Sequence, residues 1–255
     1  MKISELYAKL SNDLPAELAL SGDKNGIMCS PDTDADVKRA LFALDANKSV
    51  IDAAIAGGFD LVVTHHPMIF SPIPSVTTET PLGRLIVRAI RAGVTIMSFH
   101  TIADSADGGV NDIIAERLGI SGAVPFAGDH GRLGRVGRIS SPVPLDDYAK
   151  TVKAALGAPA VILTDADRPV HTVAVIGGAG KSCIDEVLEV GADTFVTGEL
   201  SHAVRAEARS LGLNLIEAGH FHTEDPVCDF FISLVKKYAP EVTCEHISSC
   251  NTTVL

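Results

Sequence analysis

Two rhythms of apolar and polar positions take turns along this chain. Short runs rich in β-branched and apolar residues read as buried strands at 41–44, 61–64, 94–99, 160–163, 172–176, 194–197, 213–216 and near 242–247. Between them the apolar residues recur at helical spacing. Examples are Ile3, Leu6 and Leu10; Val50, Ile51, Ala54 and Ile55 before Gly57-Gly58; and Leu82, Leu85, Ile86, Ala89 and Ile90 between Pro81 and Gly93. The same spacing predicts helices from Val110 to Leu118, over 145–156, around Ile184, Val187 and Leu188, and over 200–211 and 227–238. The polar segment 21–31 and the proline-bearing segment 71–80 read as loops, and 119–144 as a connection containing one strand. Strands alternating with helices in this way predict α/β layers with largely parallel strands.

The pattern also repeats. Residues 51–67 and 184–200 align without a gap, with identity at Ile51/Ile184, Asp52/Asp185, Gly58/Gly191, Asp60/Asp193, Val63/Val196 and Thr64/Thr197. The following units correspond as well: Gly93 opens a strand that ends in His100-x-x-x-Asp104, and Gly212 one that ends in His220-x-x-x-Glu224. This predicts an internal duplication, with one α/β lobe over 1–125, a second over 126–255, and polar residues at equivalent strand ends between them.

Those strand ends carry the candidate chemistry. The run 61–64 is apolar and β-branched until it meets His65-His66-Pro67, and proline cannot continue a ladder, so two imidazoles sit at a strand's carboxyl end. Open α/β sheets build their ligand sites there. Further strand ends supply His100, Asp104, Glu199, His202, His220, His222 and Glu224. A mixed imidazole and carboxylate set suits zinc, manganese or iron better than magnesium or calcium. One ion needs only three or four protein ligands, so this supply predicts a pair of divalent ions, with Asp104 and Glu224 as bridging candidates. The run 175–182, Val-Ile-Gly-Gly-Ala-Gly-Lys-Ser, is like the tail of a P-loop, but Val175 stands where the first glycine is required. It reads as a tight strand-to-helix turn, with anion binding by its N–H groups as the alternative.

Composition narrows the field. A net charge of -11 argues against a broad nucleic-acid surface, since duplex binding depends on neutralising phosphates. Cys29, Cys183, Cys228, Cys244 and Cys250 form an odd set without CxxC spacing, which fits reduced cytosolic thiols. The amphipathic start lacks the apolar core of a signal peptide, and no apolar run reaches membrane-spanning length, so the expectation is a cytoplasmic protein without membrane contact.

At four places the chain resembles a known family: DLVVTHHPMIF at 60–70, HTIADSADGGVND at 100–112, VTGELSH at 196–202 and GHFHTE at 219–224. Together with AVIGGAGKS at 174–182 and DHGRLGRVG at 129–137, these look like the Nif-three-like dinuclear-metal family, whose members are often named GTP cyclohydrolase type 2 homologues. The likeness covers nearly the whole chain and corresponds to the short form of the family. It implies five metal ligands, His65, His66, Asp104, His220 and Glu224, and a homohexameric ring. The chain departs from the family in lacking a tryptophan before the first loop and in carrying Asp23-Lys24-Asn25-Gly26-Ile27 in place of an Asp-Asn-Gly-Leu-like motif. That departure concerns a loop contact and leaves the metal ligands in place. His100 is the counterpart of His220 in the repeat but is not among the family's ligands. It is read as supporting the ligands or moving a proton, against a plain structural histidine. His222 is a weaker candidate for the same role, and Glu199 and His202 are expected to line the cavity. The resemblance implies a metal-dependent hydrolase that opens the guanine imidazole ring of GTP and releases formate. The alternatives are a metal-dependent phosphoesterase and a non-catalytic ring-forming scaffold or regulator.

Overall fold

The structure, a computed structural model, describes residues 1–129 and 131–254. The chain begins with α1 (Ile3–Asp13), β1 (Gly26–Cys29), β2 (Arg39–Ala43), α2 (Lys48–Gly57), β3 (Leu61–Thr64), α3 (Pro81–Arg91) and β4 (Thr95–Ser98). There follow α4 (Thr101–Ser105), α5 (Val110–Arg117), β5 (Ser121–Phe126), β6 (Gly134–Val143), α6 (Leu145–Ala155), β7 (Ile162–Thr164) and β8 (Val170–Ile176). The last elements are α7 (Ile184–Glu189), β9 (Thr194–Thr197), α8 (His202–Ser210), β10 (Asn214–Glu217), α9 (His220–Glu224), α10 (Val227–Tyr238) and β11 (Thr243–His246). None of the helices among the described residues is long and apolar enough to cross a membrane.

The chain divides into two compact units. One joins Met1–Ala103 to Val227–Asn251, and the other is built on Asp104–Pro226. The first holds a sheet in the order β1-β4-β3-β2-β11, parallel except for the edge strand β1. β3 and β4 are buried at every position, as expected of parallel strands covered on both faces. Local signals set the helix ends. Asn47 caps α2 by accepting from Val50 N, and Gly58 closes it in the left-handed conformation at φ 63°. Thr80 caps α3, with Pro81 at the first helical position. The buried sides of α2 and α3 bring Val50, Ile51, Ala54 and Ala89 into a core with Leu41, Val62 and Ile96.

The second unit holds a sheet in the order β5-β6-β8-β9-β10-β7. Its centre, β8-β9-β10, is parallel and its flanks are antiparallel. Phe195, Ala174, Val187, Leu213 and Leu215 belong to its core. Taken separately, the units share a four-strand arrangement: β1-β4-β3-β2 in one and β7-β10-β9-β8 in the other, each with an antiparallel outer strand. The aspartate identical in both copies does the same work in each. Asp60 Oδ2 accepts from Lys38 N and Arg39 N, while Asp193 accepts from His171 N and Thr172 N. Each carboxylate clamps the entry of the neighbouring strand.

Four segments differ from the expectation. The loop expected at 21–31 contains β1, which exists through antiparallel pairing to β4 and has no apolar alternation of its own. The connection at 119–144 holds two strands, β5 and β6. The turn-forming Gly122 and Pro125 are tolerated in β5 because it is a sheet edge, irregular between Ser121 and Val124. Asp104 and Glu224, expected at strand ends, lie on the single-turn helices α4 and α9.

Candidate metal centre

In the first unit, strand register assembles the imidazoles. β3 pairs with β4 so that Thr64 lies opposite Ser98, and their hydroxyls are 2.8 Å apart. The ladder continues past both ends, with Phe99 N donating to Thr64 O and His66 N to Leu44 O. His65-His66 and Phe99-His100 therefore leave the sheet side by side. The ring centroids are 5.1 Å apart for His65 and His66, 5.2 Å for His65 and His100, and 5.7 Å for His66 and His100. One ring nitrogen from each lies within 4.8 Å of the others, a spacing at which the three could hold a metal ion.

Each ring is held through Nδ1. His65 is fully buried and its Nδ1 is 3.0 Å from Phe99 O; a carbonyl only accepts, so Nδ1 carries the hydrogen. His66 Nδ1 is 2.7 Å from Asp45 Oδ1, and Asp45 is itself held by Ser249 Oγ. His100 Nδ1 is 2.6 Å from Asp23 Oδ1. With an ionised carboxylate as partner, the neutral tautomer in both cases keeps its hydrogen on Nδ1 and a lone pair on Nε2. This is how ligand histidines are oriented and made more basic. Asp23 also accepts from Thr101 N and Thr101 Oγ1, and Asn25 Oδ1 accepts from His100 N. Burial alone would raise the Asp23 carboxyl, but the hydrogen bonds from His100 and Thr101 outweigh it and hold the carboxyl well below the usual range. The loop that departs from the family motif thus builds the His100 setting.

The second unit assembles carboxylates. Asp104 and Glu224 are both buried, and an oxygen of one lies within 4.8 Å of an oxygen of the other. Like charges at that distance in a low-dielectric setting repel, and a cation or a shared proton relieves them. His220 Nε2 is 2.9 Å from Glu224 Oε2, one helical turn away, and His220 Nδ1 is 3.2 Å from Glu199 Oε1. Glycine is required beside this pair. Gly178 sits at φ +63°, and a Cβ there would collide with Glu224 Oε1 and lie 3.0 Å from His220 Nε2.

The glycine turn at 177–180 supports the second unit's site. Gly177 N donates to Asn111 Oδ1, Gly178 N to Thr223 Oγ1 and Gly180 N to Thr197 Oγ1, so these N–H groups are already engaged within the fold. Asn111 also donates through Nδ2 to Asp104 O, which ties the aspartate's helix to the end of β8. The buried Arg135 donates to Ser105 O, Ala106 O, Gly134 O and Asp112 just beyond it. Arg135 belongs to the motif at 129–137, whose His130 lies outside the described residues.

The structure thus gathers His65, His66 and His100 in one unit, and Asp104, Glu199, His220 and Glu224 in the other. Among the described residues, His202 and His222 fall in no cluster of candidate ligand atoms. His202 is exposed at the start of α8; the His222 ring packs edge-on against Phe221, and burial lowers its pKa against an opposing effect of Asp225. Sequence reasoning missed Asp23, Asn25, Asp45, Asn111 and Arg135. The one signal for the last two was their place inside motifs that carry the family resemblance.

A family model described as Duf34/NIF3 (NGG1p interacting factor 3) matches residues 1–253. A Streptomyces coelicolor protein named GTP cyclohydrolase 1 type 2 homolog is 36% identical over 238 residues, covering 89% of this chain and 83% of that one. A Clostridium perfringens protein of the same name is 29% identical over 233 residues, covering 89% and 88%. The solved structure of a Bacillus cereus protein related to NIF3 matches with a TM-score of 0.90 at 22% identity, covering 100% of this chain and 99% of that one, a likeness of fold.

Proposed function

Because the chain belongs to the Duf34/NIF3 family, we propose that it is a metal-dependent hydrolase in which His65, His66, Asp104, His220 and Glu224 hold two divalent ions. The ions would be zinc, manganese or iron, given the mixture of imidazole and carboxylate donors. The observation that carries this reading is the buried pair of carboxylates, Asp104 and Glu224, with His220 against the second of them. A buried arrangement of that kind fits a cation far better than it fits an empty core. The relatives' name suggests the reaction, opening of the guanine imidazole ring of GTP. One water would add at C8 as the C8–N9 bond breaks, leaving a formamide; a second would hydrolyse that amide and release formate.

Bound ions would supply Lewis acidity at the electrophile and a nucleophile drawn from water near neutral pH. The chain's own residues do the rest. Phe99 O, Asp45 and Glu199 fix the Nδ1 side of His65, His66 and His220 and so aim Nε2. His100, steadied by Asp23 and Asn25, is placed to accept or return a proton at Nε2. The matched strand arrangements and the paired Asp60 and Asp193 clamps support an origin by duplication. A homohexameric ring in the cytoplasm is the setting proposed for this activity.

The test is metal analysis of freshly purified protein, followed by reconstitution with zinc, manganese and iron and assay of formate released from GTP. The expected result is about two ions per chain and metal-dependent formate release that His65→Ala abolishes. Turnover of simple phosphoesters without formate would make it a phosphoesterase instead. No turnover with any metal, together with loss of the ring on chelation, would make it a scaffold.

A further inference from the structure

An exposed aromatic ring stands beside the His100 imidazole of the first unit. Phe70 follows the His-His-Pro turn and is 60% exposed, among the described residues the most exposed large hydrophobic side chain and the one aromatic in that exposed set. Its ring meets His100 edge-on, with centroids 6.1 Å apart and planes at 86°. His100 is not free to swing away, because Asp23 and Asn25 hold it by side chain and backbone. An exposed phenyl face leaves unfavourable apolar area in water, and this one stands against the imidazole of His100.

We infer that Phe70 is a stacking platform for a planar heteroaromatic ring of the substrate, a nucleobase in chemical class, which it lays beside His100. This inference rests on the hydrolase reading of the same site and deepens it by naming what positions the ring. A flat base has a π-face for Phe70 and polar edges for the imidazoles, a pairing of surfaces that a purely aliphatic ligand lacks. The phosphates contribute nothing to this contact, so the platform discriminates by base and is indifferent to the rest of the nucleotide.

The chain has no tryptophan, so Phe70→Trp installs a single indole reporter at the platform. Metal-loaded wild type, Phe70→Ala and Phe70→Trp would be titrated by calorimetry with GTP, guanosine and base-free ribose triphosphate. In Phe70→Ala, GTP and guanosine should bind at least about tenfold more weakly, while ribose triphosphate affinity stays unchanged. In Phe70→Trp, guanosine should bind as in wild type and quench the indole, and ribose triphosphate should not. Unchanged GTP affinity in Phe70→Ala, or base binding with no change in indole emission, would overturn the inference. So would the absence of any base binding to metal-loaded wild type, or a Phe70→Ala effect confined to the oligomer mass in light scattering, which would make the ring a contact between copies. Metal content is measured first on the same samples. Failure to load metal defeats the hydrolase reading, whereas a loaded, formate-releasing enzyme indifferent to Phe70→Ala defeats the stacking platform alone.

Discussion

A histidine's role here is decided by what holds its second nitrogen. His65, His66, His100 and His220 each have Nδ1 within hydrogen-bond distance of an acceptor: a carbonyl, Asp45, Asp23 and Glu199 in turn. Removing such a partner leaves the ligand in place but frees its ring and lowers its basicity. Asp45→Asn, close to isosteric, should weaken metal affinity by about 10-fold or more, measured by competition with a chromogenic chelator. Affinity equal to wild type would mean that His66 needs no such support. Glu199 lies in a motif that the sequence displays, but the acceptors of His66 and His100 have no such signature. Asp45 follows a strand like many others, and Asp23 lies in a loop that departs from the family motif.

At the scale of elements, register does the work that spacing along the chain cannot. Thr64 opposite Ser98 sets His65-His66 beside Phe99-His100, although the two pairs are separated by a loop and a helix. The short helices α4 and α9 carry the second unit's acids, and Arg135 braces the turn after the first of them. Its side chain is 2% exposed and serves the carbonyls of Ser105 and Ala106 as well as Asp112. Arg135→Ala would remove the guanidinium's hydrogen bonds to Asp112 and these carbonyls, and should cost about 3–5 kcal/mol of stability, read from urea unfolding followed by circular dichroism. A loss below about 1 kcal/mol, the worth of an exposed pair, would show that the guanidinium is not the brace. The helical periods were legible because α2 and α3 bury a continuous apolar face. β1 was not, since a polar loop that becomes an edge strand does so only through its partner.

For the whole molecule, ions that bind the folded chain and not the unfolded one must stabilise it. At free metal one hundred times the dissociation constant, one site contributes about 2.7 kcal/mol. Urea midpoints of metal-loaded protein should therefore lie above those of chelator-treated protein, and the gap should close in a Glu224→Ala variant. Equal midpoints in wild type would mean that the native chain does not bind the ions. The chain's order makes the dependence on folding plain: Met1–Ala103 builds one unit, Asp104–Pro226 the other, and Val227–Asn251 returns to complete the first.

By itself the sequence determined the main alternation of strands and helices, the recurrence of one pattern along the chain, and which side chains able to ligate metal stand near strand ends. Those properties follow from local periodicity and from proline and glycine, which act over a few residues. Tertiary structure alone decided which acceptor meets each Nδ1, that Gly178 lies where any Cβ would strike Glu224, and that Phe70 keeps its face exposed beside His100. Such relations join residues far apart in the chain, and the energy of a hydrogen bond or a collision depends on ångström distances that only the packed fold sets.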